Sequence, residues 1–406
     1  MKEVLFVCQG NVGRSQMAEA FYNCLTESDN AISAGIDDVF EKYGGQPTEE
    51  IIETMAEEGI DISKQRIKQL NEDMLGQAEK VVVLCDKKIC PDYLVKSSDK
   101  ILFIPIKDPQ PETQKKVRKI RNKIKNLVIK IIEDSFMLNH FTNIFHIRKP
   151  IIAMIHLPPL IGYKGYPGFE FIKKKTLEEV KILSSSGVHS IMVENNYDIP
   201  HKEFVDPEVA VMTAVLTQLV VDHTMLPVGI NVLWNDYRSA LGICATTGAR
   251  FMRIPAFVDD VRTVYGDMKQ RAEETVAYQK KLGLSKVAIF ADVQVKHSEM
   301  IDKNKPLSLS VKQAYEKGAQ AIIVTGRWTG DAPKLDDLEV ARKTAGRRPI
   351  LIGSGSTPKN LEALFKFTDG VIVGTSIMTK GKVDKSKLAT YMSVYNSLKK
   401  KRFKPS

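Results

Sequence analysis

Cys8 and Arg14 are separated by five residues in the segment Cys8-Gln9-Gly10-Asn11-Val12-Gly13-Arg14-Ser15. The segment lies between an apolar run ending at Cys8 and a helical pattern opening at Ser15. At such a junction successive backbone N–H groups point into one concavity, and the helix N-terminus adds partial positive charge. Gly10 and Gly13 permit the backbone turns this requires. A cysteine at that position titrates at roughly 3.5–7.5 instead of about 8.5, so Cys8 is expected as a thiolate. Arg14 can bind two oxygens of an anion in a fork, Ser15 can donate to the thiolate, and the backbone of Gln9, Gly10, Asn11, Val12 and Gly13 can line the rest. Such a loop binds a tetrahedral oxyanion and presents a nucleophile to its central atom. The bland alternative is an inert cysteine in an ordinary strand-to-helix turn. Glycines at these positions and Ser directly after Arg14 argue against it.

A second set of polar residues follows apolar runs further along the chain: His156, Glu194 with Asn195, Asn231, Arg253, Asp292 with Lys296, Thr325, Ser354 and Thr375. If those runs are the strands of one barrel, the polar residues form a ring at a single end. Gly353-Ser354-Gly355-Ser356-Thr357 and Gly374-Thr375-Ser376 follow the last two runs, where barrel phosphate sites are built from backbone N–H groups. Gly353, Ser354, Gly355, Gly374 and Thr375 are therefore a candidate phosphate site, set against the reading of tight turns with no ligand. His156, Glu194, Asn231, Asp292 and Lys296 are candidates for acid–base work at the mouth. A divalent metal could use His156, Glu194 and Asp292, although no short-range ligand spacing supports it. His189, His201, His223 and His297 read as loop or helix-face residues.

The elements that must hold these residues fall into two rhythms. In the first, apolar runs at 4–8, 32–34, 80–85 and 101–106 alternate with helical patterns at 15–27, 48–58 and 111–134. Thr48 is placed to cap the second helix. Four short strands alternating with helices predict a small doubly wound four-stranded parallel sheet over residues 1–135. Residues 136–149 break the rhythm and read as a linker or docking segment. In the second rhythm, over 150–398, apolar runs recur eight times, at 151–156, 190–194, 228–233, 251–254, 287–293, 321–325, 349–352 and 370–373. Most intervening stretches are helix-like, among them 177–184, 207–221 and 309–317. Eight runs with helical crossovers predict a closed (β/α)₈ TIM-type barrel, with an open doubly wound sheet as the alternative. Residues 399–406 read as a basic tail.

The Cys8 loop and its flanking strand resemble the low-molecular-weight protein tyrosine phosphatase family, which also includes thioredoxin-coupled arsenate reductases. The resemblance covers roughly residues 1–135. It implies attack by Cys8 on phosphorus, hydrolysis of a cysteinyl-phosphate without a cofactor, and a general acid from an Asp-Pro pair. Asp108-Pro109 fits that pair; the alternative is a turn-initiating Asp. Two departures bear on substrate: Gln110-Pro111 stand where phosphotyrosine-specific members carry aromatics, and Cys85 and Cys90 resemble a redox relay at shortened spacing. Phosphomonoester hydrolysis is the first reading and arsenate reduction the second. Cys24 reads as packing. Residues 148–398 resemble the BtpA/SgcQ family in Ala153–Leu160, Val193–Asn196, Gly229–Asn235, Ala291–His297 and Val324–Gly326. That resemblance implies a phosphate-binding barrel without specifying a reaction. An enzyme acting on a small phosphorylated metabolite and a non-catalytic assembly or regulatory module both remain open.

The chain has 406 residues, too many for one ordinary core, and 43% hydrophobic with 27% charged residues is a globular balance. No apolar run is long enough for a bilayer, so no membrane partner is expected. No signal-peptide pattern opens the chain, and five cysteines do not make a disulfide framework, so a cytoplasmic location is expected. The net charge of +10 draws on basic runs at 115–130 and 399–404. No nucleic-acid reader motif accompanies them, and they read as a solvated helix face and a tail. The expected partner is a phosphorylated small molecule or phosphoprotein, with thioredoxin only under the arsenate reading.

Overall fold

The computed structural model describes residues 2–26, 28–95, 100–108, 113–147 and 149–402, without the side chains of 133–140 and 400–402. It divides into two compact units, Met1–Phe136 and Met137–Ser406.

The first unit is a four-stranded parallel sheet. Its strands are β1 (Lys2–Cys8), β2 (Ala31–Gly35), β3 (Ala78–Val83) and β4 (Ile101–Phe103), in the order β2-β1-β3-β4. The order reverses between β1 and β3, the crevice where open α/β sheets place ligands. The Cys8 loop leaves β1 at that point. Helices α1 (Arg14–Leu25), α2 (Glu49–Ala56), α3 (Glu72–Gln77) and α4 (Asp92–Val95) connect the strands. Val4, Phe6 and Val82 face one side of the sheet and pack on α1, α2 and α5 (Gln114–Phe145); Leu5, Val7, Val81 and Val83 face the other. This alternation buries both faces, which is why the strands read as unbroken apolar runs. Thr48 occupies the N-cap position of α2 in extended backbone.

The helix expected over 111–134 is α5, and it continues through residue 145. Pro111 lies outside the described residues. The segment 136–149, read as a linker or docking segment, is therefore mostly helix. Phe141, Ile144 and Phe145 are buried in the core of the second unit. There Phe141 meets Phe290 at 6.0 Å and Phe145 meets Phe251 at 5.5 Å between ring centroids, closing one end of the barrel with aromatic surface.

The second unit is a closed barrel of eight parallel strands, β5 (Ile151–His156), β6 (Ser190–Glu194), β7 (Val228–Asn231), β8 (Phe251–Ile254), β11 (Ala288–Val293), β13 (Ala321–Val324), β14 (Ile350–Ile352) and β15 (Gly370–Val373). Every predicted run is one of these strands. An addition not foreseen is a three-stranded sheet of β9 (Val261–Thr263), β10 (Gly266–Met268) and β12 (Ser298–Met300), formed by segments that follow β8 and β11. The helix Lys385–Arg402 runs into the predicted basic tail; residues 403–406 lie outside the described residues.

Candidate active sites

Asn11 organises the Cys8 loop. It is fully buried and adopts a left-handed φ of 54°. The Lys68 backbone N–H donates to its Oδ1 at 2.8 Å, which fixes the amide so that Nδ2 faces Ser15 Oγ and Ser33 Oγ, both at 2.8 Å. Ser15 Oγ accepts from Asn11, so its own proton is free for Cys8 Sγ, 2.9 Å away. The Asn11 backbone N–H also points at Cys8 Sγ, at 3.3 Å. Two donors thus converge on the sulfur, an arrangement suited to a thiolate. Sequence reasoning placed Asn11 in the loop but missed this role, and it missed Gly35. A Cβ on Gly35 would stand 2.7 Å from the Gly10 carbonyl carbon, so only glycine lets the loop rest on the end of β2.

Arg14 is buried and held at 2.8 Å by the Ile106 carbonyl and at 3.3 Å by that of Leu84. Its other terminal nitrogen forms an ion pair with Asp108. Cys8, Gly10, Val12, Gly13, Arg14, Ile51 and Asp108 line one cleft. Pro109, Gln110 and Pro111 lie outside the described residues, so the missing aromatic wall stays a sequence observation. Leu84 N–H bonds the Val7 carbonyl at 2.7 Å, so the residue after it, Cys85, sits beside the Cys8 loop. Burial above all, then Cys90 and Cys8, push the Cys85 thiol up to about 12. The Cys90 thiol donates to the Asp86 carbonyl at 3.4 Å and lies close enough to Cys85 to perturb it, as does Cys8. Cys24, read as packing, is exposed on α1.

In the barrel, strand register places His156, Glu194, Asn231 and Arg253 in one row across β5, β6, β7 and β8. His156 Nε2 lies 3.5 Å from Glu194 Oε1, and Asn231 Nδ2 donates to Glu194 Oε2 at 2.6 Å. Arg253, named in sequence only as a strand-end residue, stands at the centre of this group. It grips both oxygens of Asp292 at 2.8 Å each and comes within 3.9 Å of Glu194. Asp292 therefore does not suit the base or metal-ligand role: it is fully buried and both oxygens are engaged. Among the described residues no three His, Cys, Asp or Glu side chains are grouped to hold a metal, so the set His156, Glu194 and Asp292 does not fit one. Burial pushes His156 down, against the pull of Glu194. Burial pushes the Glu194 carboxyl up, but His156, Arg253, Lys296 and Asn231 outweigh it and hold it below the usual range.

A cavity of about 220 Å³ opens over this row. His156, Glu194, Arg253 and Lys296 line it together with Gly353–Thr357 and Gly374–Ser376. The loop after β14 is tightly built. Asn360 donates to the Gly355 carbonyl and accepts from Thr357 N–H, both at 2.8 Å. A Cβ on Gly355 would stand 2.0 Å from Ala332 N, and its φ is +69°. Ser354 Oγ is spent on the Asp331 carbonyl at 2.8 Å and on Gly326 N–H at 3.1 Å, so its hydroxyl acts as a brace rather than as an anion ligand. The backbone N–H groups of Ser354, Gly355, Ser356 and Gly374 make no hydrogen bond among the described residues. Four free donors on two adjacent loops suit an anion.

Together the geometry gives a cysteine-centred loop on a doubly wound sheet and an anion-suited mouth on a (β/α)₈ barrel. The chain belongs to the BtpA family, whose model matches residues 147–397. Residues 3–135 match the model of the low molecular weight phosphotyrosine protein phosphatases. The photosystem I biogenesis protein BtpA of Synechocystis sp. is 35% identical over 245 residues, covering 60% of this chain and 85% of that protein. An uncharacterised protein of Methanocaldococcus jannaschii is 33% identical over 258 residues, covering 62% and 97%. Among solved structures, the low molecular weight protein tyrosine phosphatase from T. tengcongensis is 31% identical over 33% of this chain and 99% of its own, with a TM-score of 0.29. The arsenate reductase from Archaeoglobus fulgidus is 28% identical over 32% and 98%, with a TM-score of 0.27. No helix among the described residues is long and apolar enough to cross a membrane.

Proposed function

We propose that the first unit hydrolyses phosphate monoesters through a cysteinyl-phosphate on Cys8, and that the barrel binds a small phosphorylated metabolite at its mouth. The observation that carries the first half is the convergence of Ser15 Oγ and Asn11 N–H on Cys8 Sγ, in one cleft with Arg14 and Asp108. In this reading the arriving phosphoryl oxygens take over Arg14, releasing Asp108, whose carboxylate takes up the proton carried by the phosphate monoester monoanion. Cys8 Sγ attacks phosphorus in line as the ester oxygen departs with a proton from Asp108. Asp108 then takes a proton from the water that cleaves the S–P bond. Cys8→Ser should abolish aryl phosphate turnover, and Asp108→Asn should lower kcat about 10²–10⁴-fold. Full turnover in Cys8→Ser would overturn the mechanism.

The Cys85–Cys90 contact beside Cys8 favours a second reading, arsenate reduction. Cys8 would displace a hydroxyl of arsenate to form an S–As bond. Cys85 would attack the Cys8 sulfur, arsenic leaving as arsenite with the electron pair. Cys90 would then attack Cys85 and free Cys8, and a dithiol reductant such as thioredoxin would reopen the Cys85–Cys90 disulfide. The raised pKa of Cys85 keeps it a thiol at neutral pH, which makes hydrolysis the first reading. Arsenate turnover with thioredoxin that is lost in both Cys85→Ser and Cys90→Ser would reverse the order. For the barrel, the free N–H donors of the two glycine-bearing loops support the anion, and a thermal shift with inorganic phosphate tests it.

A further inference from the structure

We propose that Lys296 is an amine nucleophile that forms a Schiff base with the carbonyl carbon of a phosphorylated aldehyde or ketone held at the barrel mouth. The proposal rests on the reading of the Gly353–Thr357 and Gly374–Ser376 loops as an anion site. Lys296 lines the same cavity as those loops, alongside His156, Glu194 and Arg253. A short carbon chain with its phosphate on the loop N–H groups would have room to bring a carbonyl to the amine.

Lys296 differs from the other sequestered cations of the barrel. Lys175 is held by Glu179 at 2.8 Å, Lys305 by Asp259 at 2.6 Å and Arg253 by Asp292 at 2.8 Å. Lys296 Nζ has no carboxylate within 4.0 Å among the described residues, and its hydrogen bond, to Thr329 Oγ1, is long at 3.4 Å. The loop that carries it is shaped for display. Gln294 and His297 take positive φ values of 47° and 60° on either side. Asp259 Oδ2 anchors Gln294 N–H at 2.8 Å, and Thr325 Oγ1 anchors the Lys296 N–H at 2.9 Å. Non-glycine residues held in that region cluster at functional sites, where surrounding bonds over-determine the backbone. Burial first, then the Arg253 charge, push the Lys296 ammonium toward the neutral amine, against the pull of Glu194 and Asp292. A lysine sheltered beside another cation is one of the ways this side chain becomes nucleophilic.

The step balances without a further reagent. The Nζ lone pair forms a C–N bond as the carbonyl π electrons move to oxygen. That oxygen gains protons, relayed from Nζ by Glu194 or His156, and leaves as water when the C=N bond forms. Hydrolysis reverses each event.

The test uses the full chain carrying Cys8→Ser, so that the first unit does not consume the probe. Glyceraldehyde 3-phosphate and dihydroxyacetone phosphate are each added with sodium borohydride, and the adduct is located by peptide mass mapping. The expected result is one dominant secondary amine at Lys296, suppressed at least ten-fold by excess inorganic phosphate and absent from Lys296→Arg. Inorganic phosphate should still raise the melting temperature of the barrel transition in Lys296→Arg, showing that the variant is folded with its anion site intact. Phosphate stabilisation without labelling at Lys296, or labelling spread equally over surface lysines, overturns the Schiff base. Labelling at Lys296 with no stabilisation by phosphate supports the amine chemistry and removes the anion-site reading.

Discussion

Asn11 carries the first site in a way that its position in a loop hides. Its side chain accepts from Lys68 N–H and donates to Ser15 and Ser33, so one amide sets the direction of the Ser15 proton and hence the environment of Cys8. Asn11→Ala removes the acceptor of the part-buried Lys68 N–H, at about 1 kcal/mol, and keeps a left-handed residue without the local bonds that favour it. The expected outcome is a lower melting temperature for the first unit and a fall in aryl phosphate kcat of about 10–100-fold. Asn11→Gly relieves the backbone but restores no hydrogen bond, so it should recover part of the stability and none of the turnover. Turnover equal to wild type in Asn11→Ala would count against this role. The nucleophile, arginine and serine were legible because they are contiguous, and contiguous residues keep their geometry once the strand-to-helix turn is recognised. The Arg253–Asp292 pair was not, because its members are 39 residues apart and each resembles a catalytic group in isolation. Only closure of the barrel reveals that they neutralise one another.

At the scale of elements, the eight barrel strands were legible because a strand buried on both faces must be apolar throughout. The end of α5 was not legible. Polar and aromatic residues mix in 136–149, and their periodicity conceals that Phe141, Ile144 and Phe145 pack inward. Phe145 touches the rings of Phe141, Phe251 and Phe290, at 4.9, 5.5 and 6.1 Å between centroids. Phe145→Ala should destabilise the barrel by about 3–5 kcal/mol, read as a drop in its calorimetric transition. Acid acts on the ladder between β5 and β6. Ile151 N–H donates to His189 Nδ1 at 3.1 Å, which requires the nitrogen to be unprotonated. Burial, with a smaller push from Lys399, lowers the His189 pKa from 6.5 to about 4. Because the folded value lies below the unfolded one, the contribution is complete above about pH 6.5 and is lost as pH falls through about 4. Partial solvent access trims the loss to about 1–2 kcal/mol. His189→Asn offers Oδ1 as a pH-independent acceptor and should flatten the decline of the barrel's melting temperature between pH 7 and 4.

The whole molecule carries two candidate oxyanion sites of different construction. In the first, one loop surrounds a sulfur, and its arginine is already paired with Asp108. In the second, two loops present free N–H groups to a cavity whose cations are Arg253, engaged by Asp292, and Lys296. A tetrahedral anion entering the first must displace a carboxylate, whereas one entering the second meets loop N–H groups with no protein partner among the described residues. Inorganic phosphate should therefore stabilise the barrel at lower concentration than the first unit. Stabilisation follows RT ln(1 + [L]/Kd), so a concentration 100 times Kd gives about 2.7 kcal/mol, a shift that calorimetry resolves. Asp108→Asn removes the competing carboxylate and should tighten phosphate binding at the first site while it slows turnover, leaving the barrel's response unchanged. Arg14→Lys should weaken the first site alone, because a point charge cannot replace a planar fork. If Asp108→Asn weakens phosphate binding instead, Asp108 contributes to the anion site rather than competing for Arg14, and its pairing with Arg14 is not the gate that the anion must open.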